Sequence, residues 1–195
     1  MRRTLRRFPL ALTVVFLPRL LMAQHSVARA GFWWSVGVGY GSWHFSADSA
    51  ARRSGDHGIG QGYLAAGFTI DRHWTMGVEG ALGAIPGAGA GVSSLTVIGT
   101  WYPWRERGWF LRGGAGTSRY RESSGAEGPD YSGSGLGVLA ALGVELQTTA
   151  GVSLTPQLTC RFGFVGTVGL GLPVADLARG FRQRTIGVTL GLAFP

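Results

Sequence analysis

The sequence predicts an all-β protein: an eight-stranded antiparallel up-and-down transmembrane β-barrel that follows an N-terminal signal peptide. Three observations carry this. First, the stretch from Val152 to Phe164 alternates apolar residues (Val152, Leu154, Pro156, Leu158, Cys160, Phe162, Phe164) with polar ones or glycine, Gln157 and Arg161 included. A period of two marks a strand with one apolar and one polar face. Second, the connections between such stretches alternate between tight and long. Third, the tryptophans collect at one end of the strands.

The chain has 195 residues, enough for one domain, with 34 glycines and no lysine. Its net charge is +8, but Arg2, Arg3, Arg6, Arg7 and Arg19 account for five units of it. No basic stripe is interleaved with stacking aromatics, so nucleic-acid binding is excluded. Those arginines instead belong to a secretory signal. Met1 to Arg7 is a basic n-region, and Phe8 to Leu17 is an apolar run too short for a transmembrane helix. Leu21-Met22-Ala23 offers a cleavage point, and Ala28-Arg29-Ala30 offers a second. The expected division is a signal peptide over 1–23, a short tail over 24–31 and a barrel over 32–195. Cys160 is the sole cysteine, so no intrachain disulfide can form.

Eight strands follow in order. The first runs from about Phe32 to Phe45, with Trp34, Val36, Val38 and Tyr40 on one face. The second, about Gly60 to Ile70, aligns Leu64, Ala66, Phe68 and Ile70. The third, Trp74 to Ala84, aligns Trp74, Met76, Val78 and Leu82 against Thr75, Gly77, Glu79 and Ala81. The fourth, Val92 to Tyr102, carries Leu95, Val97 and Trp101, with a mixed opposite face. The fifth, Trp109 to Tyr120, sets Trp109, Leu111 and Ala115 against Phe110, Arg112, Gly114 and Gly116. The sixth, Gly135 to Gln147, lines up Leu136 through Leu146 on even positions. The seventh is Val152 to Phe164. The eighth runs from about Arg184 to the end, with Ile186, Val188, Leu190, Leu192 and Phe194 together. Pro156 removes a ladder donor in a closed sheet without edges, so a local bulge is expected there.

The tight connections are Asp71 to His73, Pro103 to Gly108 and Thr148 to Gly151; the longer ones are Ser46 to Ile59, Ile85 to Gly91, Arg121 to Ser134 and Val165 to Gln183. An even strand count puts both termini on the short-turn side. Trp34, Trp74, Trp101, Trp109 and Phe194 gather there as an aromatic girdle, the periplasmic one if the barrel sits in an outer membrane. Trp33 and Trp104 fall at the same end. Amphipathic rings prefer membrane interfaces.

Face assignment follows from size. An eight-stranded barrel has a narrow interior. Leu, Val, Ile, Phe and Trp from every strand would overfill it, whereas Gly, Ala, Ser and Thr fit. The bulky face therefore points to lipid, and Cys160 with it as a free thiol. The small face also carries Glu79, Arg112, Glu145 and Arg161, an internal ion-pair network. Arg112 and Glu145, on adjacent strands, are the direct pair expected, with Glu79 the candidate partner of Arg161.

On these features (signal peptide, alternating glycine-rich strands, and a final strand Ile186 to Phe194) the chain resembles the small eight-stranded outer-membrane β-barrel family, which includes the OmpA transmembrane domain and OmpX-like proteins. The family usually ends on an aromatic residue read by the barrel-assembly machinery. Phe194 matches, and Pro195 after it departs from the pattern. The resemblance implies outer-membrane location and no particular activity.

The role expected is structural or surface-interacting, with four extracellular loops displayed to a surface ligand that the sequence does not name. Arg119, Arg121, Arg182 and Arg184, with Arg179, suit contact with lipid headgroups and lipopolysaccharide phosphates. The second reading is a lipid A-modifying enzyme of the deacylase or acyltransferase type. His44, Ser46 and Asp48 share one parity at the outer end of the first strand and are the weak catalytic candidates. The deacylase pattern lies on a later strand, with Asn after the Ser, whereas Ala47 follows Ser46 here. The third reading is a narrow channel. No cofactor and no metal site are expected, since His25, His57 and His73 are scattered.

Overall fold

A computed structural model describes residues 31–46, 55–87, 89–123, 131–149, 151–170 and 176–195. The signal peptide and most of the tail lie outside the described residues. Strands are β1 (Phe32–Ser46), β2 (Gly55–Thr69), β3 (Trp74–Ile85), β4 (Ala90–Trp104), β5 (Trp109–Glu122), β6 (Tyr131–Val144), β7 (Leu146–Thr149), β8 (Val152–Leu170) and β9 (Asp176–Phe194). β6 and β7 form one stave interrupted at Glu145, so the strands make eight staves. Each pairs antiparallel with its sequence neighbour, and β1 pairs β9 to close the ring.

The register fixes the shape. From Val36 the paired residues run through Leu64, Gly80, Leu95, Thr117, Leu136, Phe164 and Arg182, and return to β1 at Ser46, ten residues further along. With strands about 4.8 Å apart and a rise of about 3.3 Å per residue, that stagger tilts the strands by about 40°. Closure satisfies the strand backbone without water, which a bilayer requires.

The sheet sorts its faces as the size argument expects. Leu142 is 45% and Leu190 50% exposed, with Val38, Leu82 and Val188 more open still. Glu79, Thr100, Thr159, Thr189 and Ser35 are buried inside. The interior is less simple than a lining of small residues, however. Trp33, Trp43, Ile59, Tyr63, Ile98, Phe110, Leu139 and Phe181 are also buried. Facing glycines make room for them. A Cβ on Gly37, the register partner of Tyr63, would run into the Tyr63 ring, and one on Gly143 would run into Phe110.

Strands extend further at the long-connection end than periodicity showed. β2 starts at Gly55, β6 at Tyr131 and β9 at Asp176, and β8 runs to Leu170. Backbone pairing continues there through Gly-, Ser- and Asp-rich sequence with no apolar alternation to reveal it. The expected bulge at Pro156 is not formed. Thr155, Pro156 and Gln157 face Gly191, Leu190 and Thr189 in unbroken register. On the other side, pairing stops at Gly143↔Gln157 and resumes at Leu146↔Leu154. The Glu145 N–H turns instead to the Gly108 carbonyl at 2.8 Å. The proline thus interrupts one ladder without displacing the chain.

Candidate functional site

A charge triad and two apolar clusters fill the lumen. Midway, Glu79 on β3 is 2% exposed and sits between two guanidiniums. Arg112 Nη1 donates to Glu79 Oε2 at 3.1 Å, and Arg161 Nη2 donates to Oε1 at 2.5 Å. Arg112 Nε also donates to the Thr100 hydroxyl, and Arg161 Nη1 to Gln61 Oε1, both at 3.2 Å. Burial of this kind requires each charge to be met.

The structure thus brings Glu79, Arg112 and Arg161 together and sets Glu145 apart. The expected Arg112–Glu145 pair is not made. Arg112 stands opposite Ala141, four residues before Glu145 on the partner stave. Four residues span about 13 Å of strand, beyond guanidinium reach. Glu145 lies instead at the short-turn end of the lumen, where it accepts from the Tyr102 hydroxyl at 3.1 Å.

Towards the long-connection end an aromatic cluster closes the bore. Trp43 stacks on Tyr120 at 5.7 Å between centroids and on Phe45 at 4.9 Å, and Tyr120 packs on Phe181 at 5.0 Å. His57 stacks parallel to Phe45. Trp43 Nε1 donates to Gln183 Oε1, and Gln183 Nε2 donates to the Ser118 hydroxyl. Level with the triad, Tyr63, Ile98 and Leu139 form a second apolar cluster, with Leu139 opposite Arg161 in register, and Trp33 extends it towards the short-turn end. The cavity beside Arg161 and Gln61 has a volume of only about 30 Å³. Sequence reading missed these clusters, because their residues sit in positions otherwise held by Gly, Ser and Thr. The signal that could have found them is the facing glycine, readable only once the register is known.

Outside, the girdle residues pair across strands. Trp34 stacks on Phe194 at 4.1 Å, and Trp74 on Trp101 at 6.2 Å; Trp109 faces Trp104 in register. Trp33, at the same end, points into the lumen. At a 40° tilt each residue climbs about 2.5 Å along the axis, and each strand step from β1 towards β9 climbs about 3 Å. On that scale Trp34, Trp74, Trp101, Trp109 and Phe194 fall within about 4 Å of one height. Outward-facing Arg119 and Arg184 stand about 25 Å above them, with Arg121 and Arg182 about 5 Å higher. An outer-membrane barrel's apolar band is about 25 Å tall. Cys160 is a free thiol, half-buried on the outward face.

Of the weak catalytic candidates, His44 and Ser46 lie within the described residues. His44 Nδ1 meets Asp56 Oδ1 at 2.8 Å, an exposed contact to an acid on β2 that the sequence reading did not consider. No hydrogen bond joins His44 to Ser46 among the described residues, and Asp48 lies outside them. The side chain of Arg179 also lies outside what is described.

No family model matches the chain, and no curated protein matches it. Solved structures do. The chain is similar to the Neisserial surface protein A (NspA), at TM-score 0.57 and 16% identity over 85% of this chain and 97% of that one. The fold is that of the small outer-membrane barrels. The attachment invasion locus protein Ail of Yersinia pestis, in complex with a heparin analogue, aligns at TM-score 0.51 and 15% identity over 85% of this chain and all of that one. Identities this low carry the architecture and nothing finer.

Proposed function

We propose that this chain is an integral outer-membrane β-barrel of a Gram-negative envelope with a structural or surface-interaction role. Export uses a cleaved signal, and both chain ends lie in the periplasm. The barrel holds four extracellular connections on a rigid cylinder and performs no chemistry. Arg119, Arg121, Arg182 and Arg184 rest among outer-leaflet headgroups and contact lipopolysaccharide phosphates. The barrel-assembly machinery inserts it through the last strand ending at Phe194.

The observation that carries this reading is the lumen, filled by an aromatic cluster towards the long-connection end and, midway, by a charge triad packed with a second apolar cluster. A cylinder packed in this way is a scaffold. The outside supports the location, with an aromatic belt and an arginine tier one apolar band apart.

The test is fractionation of Gram-negative cells expressing the chain, with heat-modifiable gel migration and N-terminal sequencing. Expected is a heat-shifted outer-membrane band beginning at Gln24. A soluble periplasmic product, or a band whose migration ignores heating, overturns the reading. Mass spectrometry of lipid A from cells with and without the protein is expected to show identical acylation; a changed acyl chain would establish the enzyme instead.

A further inference from the structure

Resting on the outer-membrane reading, we propose that the β2–β5 face holds one lipid A molecule at a defined site. Its acyl chain lies in a hollow on the barrel wall, and its phosphate is bound by Arg119 and Arg121.

The hollow comes from the register. On the outward face Gly62 of β2 lies beside Leu82, and Leu64 lies beside Gly80. The protruding Leu64, Leu82 and Leu95 thus surround positions that have no side chain. A Cβ at Gly62 or Gly80 would meet nothing closer than 3.6 Å. The result is an apolar depression of about 650 Å³ with Arg119 in its lining. A second depression of about 420 Å³ shares Gly62, Leu82 and Ser93 with it and has Arg121 in its lining. The first volume is in the range of small-ligand sites.

Charge decides the occupant. Arg119 has no acidic partner among the described residues, and it faces Ser93 and Ser134 on its two neighbouring strands. The tilt places Arg119 and Arg121 at the upper edge of the apolar band, above the depression. A cationic pair over an apolar hollow fits an amphiphile with an anionic head and acyl tails. Guanidinium suits phosphate in particular. In the outer leaflet that amphiphile is the phosphorylated glycolipid.

The opposite face supplies the contrast. Arg182 and Arg184 stand at the same heights on β9, but Phe164 and Phe162 stand opposite them in register and Ile186 and Val188 lie below, all bulky and exposed. Arginines are present on both faces; this hollow lies under the β5 pair.

The folded, detergent-purified barrel is titrated with bisphosphorylated lipid A, and bound copies are counted by native mass spectrometry. Heat-modifiable migration confirms folding of every variant. Wild type should bind one copy preferentially. Arg119→Gln with Arg121→Gln should weaken that copy about tenfold or more, the scale of losing charge-assisted hydrogen bonds. Gly62→Leu with Gly80→Leu, which fills the hollow and leaves both arginines, should weaken it similarly. Arg182→Gln with Arg184→Gln should stay within about twofold of wild type. The site is overturned if the β9 pair matters as much as the β5 pair, if filling the hollow changes nothing, or if wild type binds no copy. Each of these results leaves the outer-membrane reading intact, because that rests on fractionation.

Discussion

Glu79→Gln is the sharpest perturbation of this barrel. It keeps the volume and one acceptor while deleting the carboxylate that touches both Arg112 and Arg161. Two unit charges about 4 Å apart at an effective dielectric near 20 attract by about 4 kcal/mol, so the two contacts give a gross loss of about 8 kcal/mol. The surviving amide oxygen still accepts from one guanidinium, and Arg112 and Arg161 keep Thr100 and Gln61. Those retained bonds bring the net loss towards the 3–5 kcal/mol that removing one partner of a buried pair costs, or about 4 kcal/mol. At a urea slope of about 2 kcal/mol per molar, the unfolding midpoint falls by about 2 M. The assay is reversible urea unfolding in lipid vesicles, followed by tryptophan fluorescence and gel migration. The reverse comparison is informative as well. A variant in which Glu79, Arg112 and Arg161 are all replaced by apolar residues should lose less than Glu79→Gln, since it leaves no charge stranded. A midpoint within about 0.3 M of wild type for Glu79→Gln would refute the triad as a coupled buried unit.

Other predictions follow from the two faces. In single-tryptophan variants, brominated lipids should quench Trp34, Trp74, Trp101, Trp104 and Trp109 strongly, and Trp33 and Trp43 little; equal quenching of all seven would contradict the lumen assignment. Gly37→Val drives a branched side chain into the Tyr63 ring and should cost about 1–3 kcal/mol in the same urea assay, whereas Gly113→Val, at an outward position with nothing within 4 Å, should be close to neutral. In planar bilayers the wild-type barrel should show no sustained conductance, and a steady open level would contradict the filled lumen. In the short turn after β2, the Asp71 carboxylate accepts the backbone N–H groups of His73 at 2.6 Å and Trp74 at 2.9 Å. The His73 bond above all holds its pKa below the ordinary aspartate value. A depressed folded value means that the turn's stability is complete above the unfolded pKa and is lost as pH falls through the folded one. NMR titration should find Asp71 below a free aspartate, and Asp71→Ala should remove that acid-range dependence.

How much was legible depends on which residues carried a period. Strands such as Val152 to Phe164 and Ile186 to Phe194 announced themselves, because lipid imposes bulk on every second residue. The girdle was legible for the same reason. The upper ends of β2, β8 and β9 were not, since strand above the membrane pairs through its backbone and needs no pattern. Among site residues, Glu79, Arg112, Glu145 and Arg161 stood out as charges on a small-residue face. Glu79 was named as the partner of Arg161, but its second pairing, with Arg112, was not, because a pair depends on stagger. Arg112 and Glu145 are near in any list of turn-proximal residues, yet they lie four positions apart once β5 and β6 are aligned. The Pro156 break was foreseen at its place and not in its form, because a neighbouring stave could lapse instead of bulging.

The amino-acid order by itself determined that this chain forms strands, that there are eight staves, and that the oily side meets lipid. Those are one-dimensional consequences of a two-residue repeat in a medium without water. Only the closed cylinder decided what meets what: which carboxylate serves two guanidiniums, which rings plug the bore against which glycines, and where a hollow opens beneath Arg119. Those contacts join residues up to 140 positions apart, and they follow from a ten-residue stagger that no single strand encodes.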